Sequence, residues 1–270
     1  MVHRLVTNVA GVDQIFPEQK AGVNPVAVYR ADERRHSDGR PWVVCNMIAS
    51  VDGGIAVDGT SGGLGGAGDK SVYGALRSVP DVVVVASGTV VAEDYGPPQL
   101  PEELQSERRS LGQRPLPQIA VVTGRLSIGA DHRVFEPGTN PLVITTSNSD
   151  EDRRARLASV AEIVLAGSDR VDLGDALSQL GAMGLKTVLL EGGPTLNGAF
   201  IDADLVDEVC LTIAPFVLGG QSPRIVHKSS NGALRDLELA RTLHDEDGYL
   251  FQRYLRRRPD LDNRDPEDNE

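Results

Sequence analysis

The chain has 270 residues, enough for one large domain or two small ones, and its 40% hydrophobic content can build a sizeable core that aliphatic residues must fill, since aromatics are only 4%. A formal net charge of −12 argues against non-specific nucleic-acid binding, which needs a basic surface to displace counterions, but leaves room for a local basic pocket. Two cysteines, Cys45 and Cys210, lie in apolar runs with neither disulfide nor metal spacing, and no apolar run approaches the roughly 18 residues of a membrane span; a soluble cytoplasmic protein with buried thiols and no metal is expected.

In chain order, residues 1–41 show no clear period and read as an N-terminal extension, with 30–40 a charged loop that packs outside the domain or borders a site. Trp42–Ala49 is a near-continuous apolar run, the pattern of a strand buried on both faces. Ser50-Val51-Asp52-Gly53 ends it with turn chemistry, a Gly-rich stretch follows over 59–68, and Asp69 offers an N-cap for a helix carrying Val72, Leu76 and Val79. Asp81–Ala86 predicts a second strand, closed by Ser87-Gly88-Thr89. Residues 97–116 read as a polar, Pro-rich loop with a helical turn near 102–108. Further strands are expected at Gln118–Val122, Pro141–Ile144, Glu162–Leu165, Lys186–Leu190 and Val206–Ile213, with helices at Asp150–Ala158, Asp172–Met183 and from Pro194 onward.

Strand–helix alternation implies a parallel sheet covered by helices on both faces. The end of the chain differs: Ala233–Leu243 and Tyr249–Leu255 flank an Asp-Gly turn, a hairpin signal. The expectation is one α/β domain over 42–258, with a mixed, mostly parallel sheet and a C-terminal antiparallel hairpin. Residues 259–270, acidic and almost without apolar groups, read as a disordered tail. His36, His132, His227 and His244 lie in polar stretches and read as solvated.

In open α/β sheets, ligands bind beyond the carboxyl ends of the strands. Three polar clusters follow strands here, Ser50–Gly53, Gly88–Asp94 and Glu191–Leu196, with Thr123-Gly124-Arg125 a fainter fourth. In the third, Gly192 and Gly193 permit close backbone approach, Pro194 is preorganised for a first helical turn, Thr195 adds a hydroxyl, and the free N–H groups and helix dipole at that end, which runs on to Leu196, favour an anion. The same residues also fit a plain strand-to-helix turn. The stretch is not Gly-x-Gly-x-x-Gly, so an ordinary dinucleotide fingerprint is not in view.

Together, Ser50-Val51-Asp52-Gly53, Leu76-Arg77, Gly88-Thr89 with Glu93-Asp94, Glu191-Gly192-Gly193-Pro194-Thr195-Leu196, Leu205-Val206-Asp207-Glu208, Ala214-Pro215 and Leu218-Gly219-Gly220 resemble the RibD C-terminal reductase family over about residues 42–255. The resemblance is nearest to stand-alone actinobacterial pyrimidine reductases, which lack a deaminase domain; this chain likewise has no His-x-Glu with Pro-Cys-x-x-Cys zinc signature. It implies a dihydrofolate-reductase-like three-layer α/β/α fold, a homodimer, NADPH as cofactor, and reduction of the small molecule 5-amino-6-(5-phosphoribosylamino)uracil in riboflavin biosynthesis. By the same resemblance, Ala49, Thr89, Glu93, Thr123 and Gly192 through Leu196 line the cofactor, while Asn46, Ser50, Ser61, Arg77, Asp94 and Glu191 lie on the substrate side. The family's usual Lys is replaced by Asn46, and no Arg follows Asp94 in 95–100, so the cofactor half matches more closely than the substrate half.

Each assignment has an ordinary structural counterpart. Arg77 could grip a substrate phosphate or carboxylate with its planar fork, or form a helix-surface salt bridge. Glu191 could accept hydrogen bonds from a ribose or amine, or cap a helix. Asp52, with Glu191 a candidate polar group beside the reacting carbon, could orient a ring or close an Asx-turn. Arg125 could meet the 2′-phosphate of NADPH, or be a loop charge. Two rival functions share this site: reduction of dihydrofolate or another small heterocycle, and NADPH binding by a regulatory protein without turnover.

Overall fold

The computed structural model describes residues 11–258 except 37, 137, 139 and 228–233; the expected acidic tail at 259–270 lies outside the described residues. Ten strands form one sheet: β1 (Val12–Phe16), β2 (Trp42–Ser50), β3 (Val82–Ala86), β4 (Gln118–Val122), β5 (Leu142–Thr145), β6 (Glu162–Leu165), β7 (Thr187–Leu190), β8 (Glu208–Ala214), β9 (Leu237–Asp245) and β10 (Leu250–Arg256). The spatial order is β1-β9-β10-β8-β2-β7-β3-β4-β5-β6. From β8 to β6 every pairing is parallel; β8-β10, β10-β9 and β9-β1 are antiparallel. The sheet is therefore mixed and mostly parallel, closed at one end by the predicted hairpin.

The helices are α1 (Pro25–Arg30), α2 (Ala67–Arg77), α3 (Ser87–Ala92), α4 (Glu102–Ser110), α5 (Glu151–Ala158), α6 (Leu173–Ala182) and α7 (Pro194–Asp202), with a 3₁₀ turn at Arg133–Phe135. Alternate residues of the central strands enter opposite cores. Val43, Val82, Val84, Val188 and Leu190 pack with Leu177 and Leu180 of α6 and Phe200 of α7. Val44, Val83 and Leu189 pack with Tyr29 of α1 and Val72 and Leu76 of α2, and Val85, Val121 and Val143 with Val90 of α3 and Leu157 of α5. Burial on both faces is why these strands read as continuous apolar runs.

Several elements differ from the sequence reading. The N-terminal stretch supplies edge strand β1 and helix α1. Its polar segment after α1 is held by buried charge: Glu208 accepts from Arg34 at 2.8 and 3.0 Å and from Arg253 at 2.9 Å. Asp207 accepts from Val43 N at 2.8 Å and lies 3.0 Å from His36 Nε2. His36 also stacks on Trp42, so it is not a solvated histidine. Residues 102–110 form a full helix, anchored where the wholly buried Arg108 donates to the carbonyls of Ser78 and Pro80 at 2.8 Å. Ser87-Gly88-Thr89 does not merely close a strand but opens α3. Asp69 is not the cap of α2; Gly66 holds that position and Asp69 sits in the first turn.

Candidate active site

A cavity of about 760 Å³ opens beyond the carboxyl ends of β2, β3 and β7, where the topology of an open parallel sheet places ligands. The sheet contributes Asn46 and Met47 from β2 and Glu191 after β7; α2 contributes Tyr73 and Arg77; α3 and the turn after it contribute Thr89, Glu93 and Asp94; and Gly193 and Pro194 start α7. Ser61 reaches the wall from the Gly-rich loop, its N–H donating to Glu93 Oε1 at 2.7 Å.

Glu191 is the most constrained group in the wall. Its backbone N–H continues the sheet to Val84 O at 3.0 Å, which fixes the carboxylate at the end of β7. Arg77 Nε donates to Oε1 at 2.8 Å and Nη2 to Oε2 at 2.6 Å. Tyr95 donates to Oε2 at 2.8 Å and Tyr73 at 3.2 Å. The Arg77 guanidinium carbon also lies 4.4 Å from the Tyr73 ring centre and 5.3 Å from that of Tyr95. Burial and then the Glu191 charge push both phenols well above their ordinary range, so they remain donors. Burial opposes the charge on Arg77, but Glu191 outweighs it and the guanidinium stays protonated. Of the two readings of Arg77, the structure shows a salt bridge, made with Glu191, while the side chain still lines the cavity.

The start of α7 has the geometry of an anion cradle. Its N-cap, Gly193, provides no side-chain cap, and Pro194 occupies the first turn, leaving the N–H groups of the first turn without an intrahelical acceptor. Gly192 has φ +89°, and a Cβ on Gly193 would lie 2.6 Å from Thr89 Oγ1. Glycine at 193 thus leaves room for the Thr89 hydroxyl beside the start of α7. Behind this turn Asn197, fully buried, donates to Ile225 O at 2.8 Å while its Oδ1 has no partner. An uncapped helix start, a bare glycine surface and the Thr89 hydroxyl fit the phosphates of a dinucleotide.

Other expected site residues lie outside the cavity wall. Asp52 is exposed beside Gly53 (φ +86°), and it accepts from Ser50 Oγ at 2.6 Å, Leu218 N at 3.0 Å and Gly219 N at 2.7 Å. These bonds, the Ser50 hydroxyl foremost, hold its carboxyl at about 2. Its placement is that of a loop clasp, outside the residues that line the cavity. Ala49 and Ser50 are buried in β2, and Thr123 is buried after β4. Arg125 is exposed, its carbonyl accepting from Arg153 at 3.2 Å. Thr195 is exposed on α7 and Leu196 packs against the core, and neither is among the residues that line the cavity. Gly192 is buried behind Gly193.

Sequence reading missed Tyr73, Tyr95, Lys70 and Arg133. Tyr73 stands one turn before Arg77 on the same face of α2, a spacing visible in the sequence. Arg133 had no such signal, since only the fold brings its 3₁₀ turn to the cavity. Among the described residues no group of His, Cys, Asp and Glu could hold a metal ion, and no helix is long and apolar enough to cross a membrane.

The family model of the RibD C-terminal domain matches residues 41–251. The chain is 30% identical to the 2,5-diamino-6-ribosylamino-4(3H)-pyrimidinone 5′-phosphate reductase of Archaeoglobus fulgidus, over 69% of this chain and 86% of that protein. It is 33% identical to the protein of the same name from Methanothermobacter thermautotrophicus, over 68% of this chain and 82% of that one. Among solved structures, a pyrimidine reductase-like protein from Corynebacterium diphtheriae superposes with a TM-score of 0.78 at 28% identity, covering 87% of this chain and all (100%) of that one. Acinetobacter baumannii RibD shares the fold, with a TM-score of 0.66 at 19% identity, over 82% of this chain and 60% of that one. The protein belongs to the RibD C-terminal domain family, and its sheet and helices are those of the family's dihydrofolate-reductase-like reductases.

Proposed function

We propose that this chain is an NADPH-dependent reductase of a 6-(ribosylamino)pyrimidine 5′-phosphate, working in riboflavin biosynthesis as a cytoplasmic homodimer. The observation that carries the reading is that one cavity joins an uncapped helix start bordered by Thr89 and Gly193 to the Glu191–Arg77 pair two residues away along the chain. Thr89, Glu93, Gly193 and Pro194 would hold the cofactor, and NADPH, when bound, supplies the hydride. Glu191 and Arg77, locked by Tyr73 and Tyr95, form a rigid polar wall that orients the pyrimidine or its sugar. Because both phenols keep their protons, they serve as hydrogen-bond donors. Asn46 and Ser61 line the same space and add polar contacts to substrate.

Two substrates fit this reading and differ in one exocyclic group: 5-amino-6-(5-phosphoribosylamino)uracil and its 2,5-diamino counterpart. The names of the archaeal relatives favour the second. The test is loss of nicotinamide absorbance when purified protein and NADPH meet each pyrimidine, with dihydrofolate as a third arm. Oxidation with either pyrimidine is expected. Turnover of dihydrofolate alone would move the protein to the pterins, and NADPH binding without any turnover would favour a regulatory role.

A further inference from the structure

We infer that Arg133 is the anion anchor of the cavity, gripping the substrate's phosphate ester; this rests on the proposed reading only in taking the substrate to be a phosphate ester. Three cations line the cavity, Lys70, Arg77 and Arg133. Arg77 is closed on Glu191 through Nε and Nη2. Lys70 stands exposed on the first turns of α2; its backbone N–H donates to Gly66 O at 3.1 Å and its charge acts on Asp69, but its ammonium makes no hydrogen bond or ion pair among the described residues. Arg133 alone is both placed and available. Its neighbours Val134 and Phe135 are buried in the core, 0% and 5% exposed, which pins the 3₁₀ turn, while its own side chain is 47% exposed.

The guanidinium lies against Gly96 in the cavity wall. A Cβ at Gly96 would be 2.7 Å from Nη2 and 3.0 Å from both Cζ and Nε. Gly96 does not have a positive φ, so what glycine provides here is room for the guanidinium. Nη1 donates to Asp94 Oδ2 at 3.0 Å, and that carboxylate is 72% exposed. A pair so open to solvent is weak and readily exchanged for a phosphate, to which arginine presents a planar set of donors. Tyr95, between Asp94 and Gly96, donates to Glu191, so the loop that seats Arg133 also sets its position relative to the polar wall. Asp94 orients the guanidinium before the ligand arrives, and Gly96 keeps the wall open for it.

The test uses full-length protein saturated with NADPH. Calorimetry with ribose 5-phosphate should show affinity at least tenfold weaker in Arg133→Ala, partly restored in Arg133→Lys, and weakened in Gly96→Ala, whose methyl group displaces the guanidinium. In steady state, Arg133→Ala should raise KM for the phosphorylated pyrimidine at least tenfold, with kcat and the KM for NADPH within about threefold of the parent. The dephosphorylated pyrimidine should not distinguish the two proteins. Equal effects of Arg133→Ala on both pyrimidines, unchanged ribose 5-phosphate affinity, or a selectivity that follows Lys70→Ala instead would overturn the assignment. Wild-type protein that binds ribose 5-phosphate through Arg133 yet reduces neither pyrimidine would sink the proposed reaction and leave the anchor standing.

Discussion

Arg77 and Glu191, 114 positions apart in sequence, are bonded through Nε and Nη2 of the guanidinium, at 2.8 and 2.6 Å, in the wall of the cavity. Two residues that sequence reading aimed separately at a substrate are thus one unit. Its charges nearly cancel, and two tyrosines hold it in place. A unit of this kind offers direction, through fixed lone pairs and N–H groups, more than net charge.

Removing Arg77 should be costly, because it leaves the Glu191 carboxylate, with only 3% of its side chain exposed, without a counter-charge. Arg77→Ala is expected to lose about 3–5 kcal/mol of stability, and Tyr95→Phe about 1.5–3 kcal/mol as a hydrogen bond to a charged group. Denaturant unfolding of the two variants checks both figures. An Arg77→Ala midpoint equal to that of the parent would mean that Glu191 is solvated and the pair is not a buried unit.

Gly193→Ala would place a methyl carbon 2.6 Å from Thr89 Oγ1, turning that hydroxyl away and covering the bare start of α7. NADPH affinity should fall on the order of tenfold, equivalent to about 1.4 kcal/mol, with the fold retained. Fluorescence titration with NADPH measures it, and undiminished affinity would locate the cofactor phosphates elsewhere.

Asp52 clasps the loop at Leu218 and Gly219 through hydrogen bonds of 3.0 and 2.7 Å and lies outside the cavity. Asp52→Ala should leave kcat within about twofold while amide exchange at residues 218 and 219 accelerates, since their acceptor is gone. A hundredfold loss of kcat, or about 2.7 kcal/mol, would return Asp52 to the chemistry.

Acid should loosen the hairpin side of the sheet. Burial alone would raise the Glu208 carboxyl, but the charge of Arg34 and the hydrogen bonds of Arg253 and Arg34 outweigh it and hold it at about 2, below its ordinary 4.5. A depressed folded value means that this stabilisation is complete above pH 4.5 and is lost as pH falls toward 2. Unfolding free energy should drop across that window in the parent. Glu208→Gln should lack this part of the slope and be weaker at neutral pH, because Arg34 and Arg253 lose their counter-charge. A parent-like acid slope in that variant would assign the effect to other carboxylates.

The sequence by itself determined the central strands, the helices that follow β5, β6 and β7, and the turn at Gly193 that opens α7. Burial on both faces writes Val43–Cys45 or Val82–Val85 as unbroken apolar runs, and Gly-Gly-Pro after a strand is a local backbone requirement. The clusters around Thr89 and Glu191 were legible for the same reason, as polar residues at strand ends. Short or polar elements were not: β1 is an edge strand whose Gln14 is buried, and α3 begins with Ser-Gly-Thr, the residues of a turn. Side-chain partnership depended wholly on the tertiary structure. Which carboxylate meets Arg77, which loop Asp52 clasps, and that Arg133 comes to rest on Gly96 follow from strand order and loop packing. These contacts join residues tens to more than a hundred positions apart, and no local pattern encodes a distance of that kind.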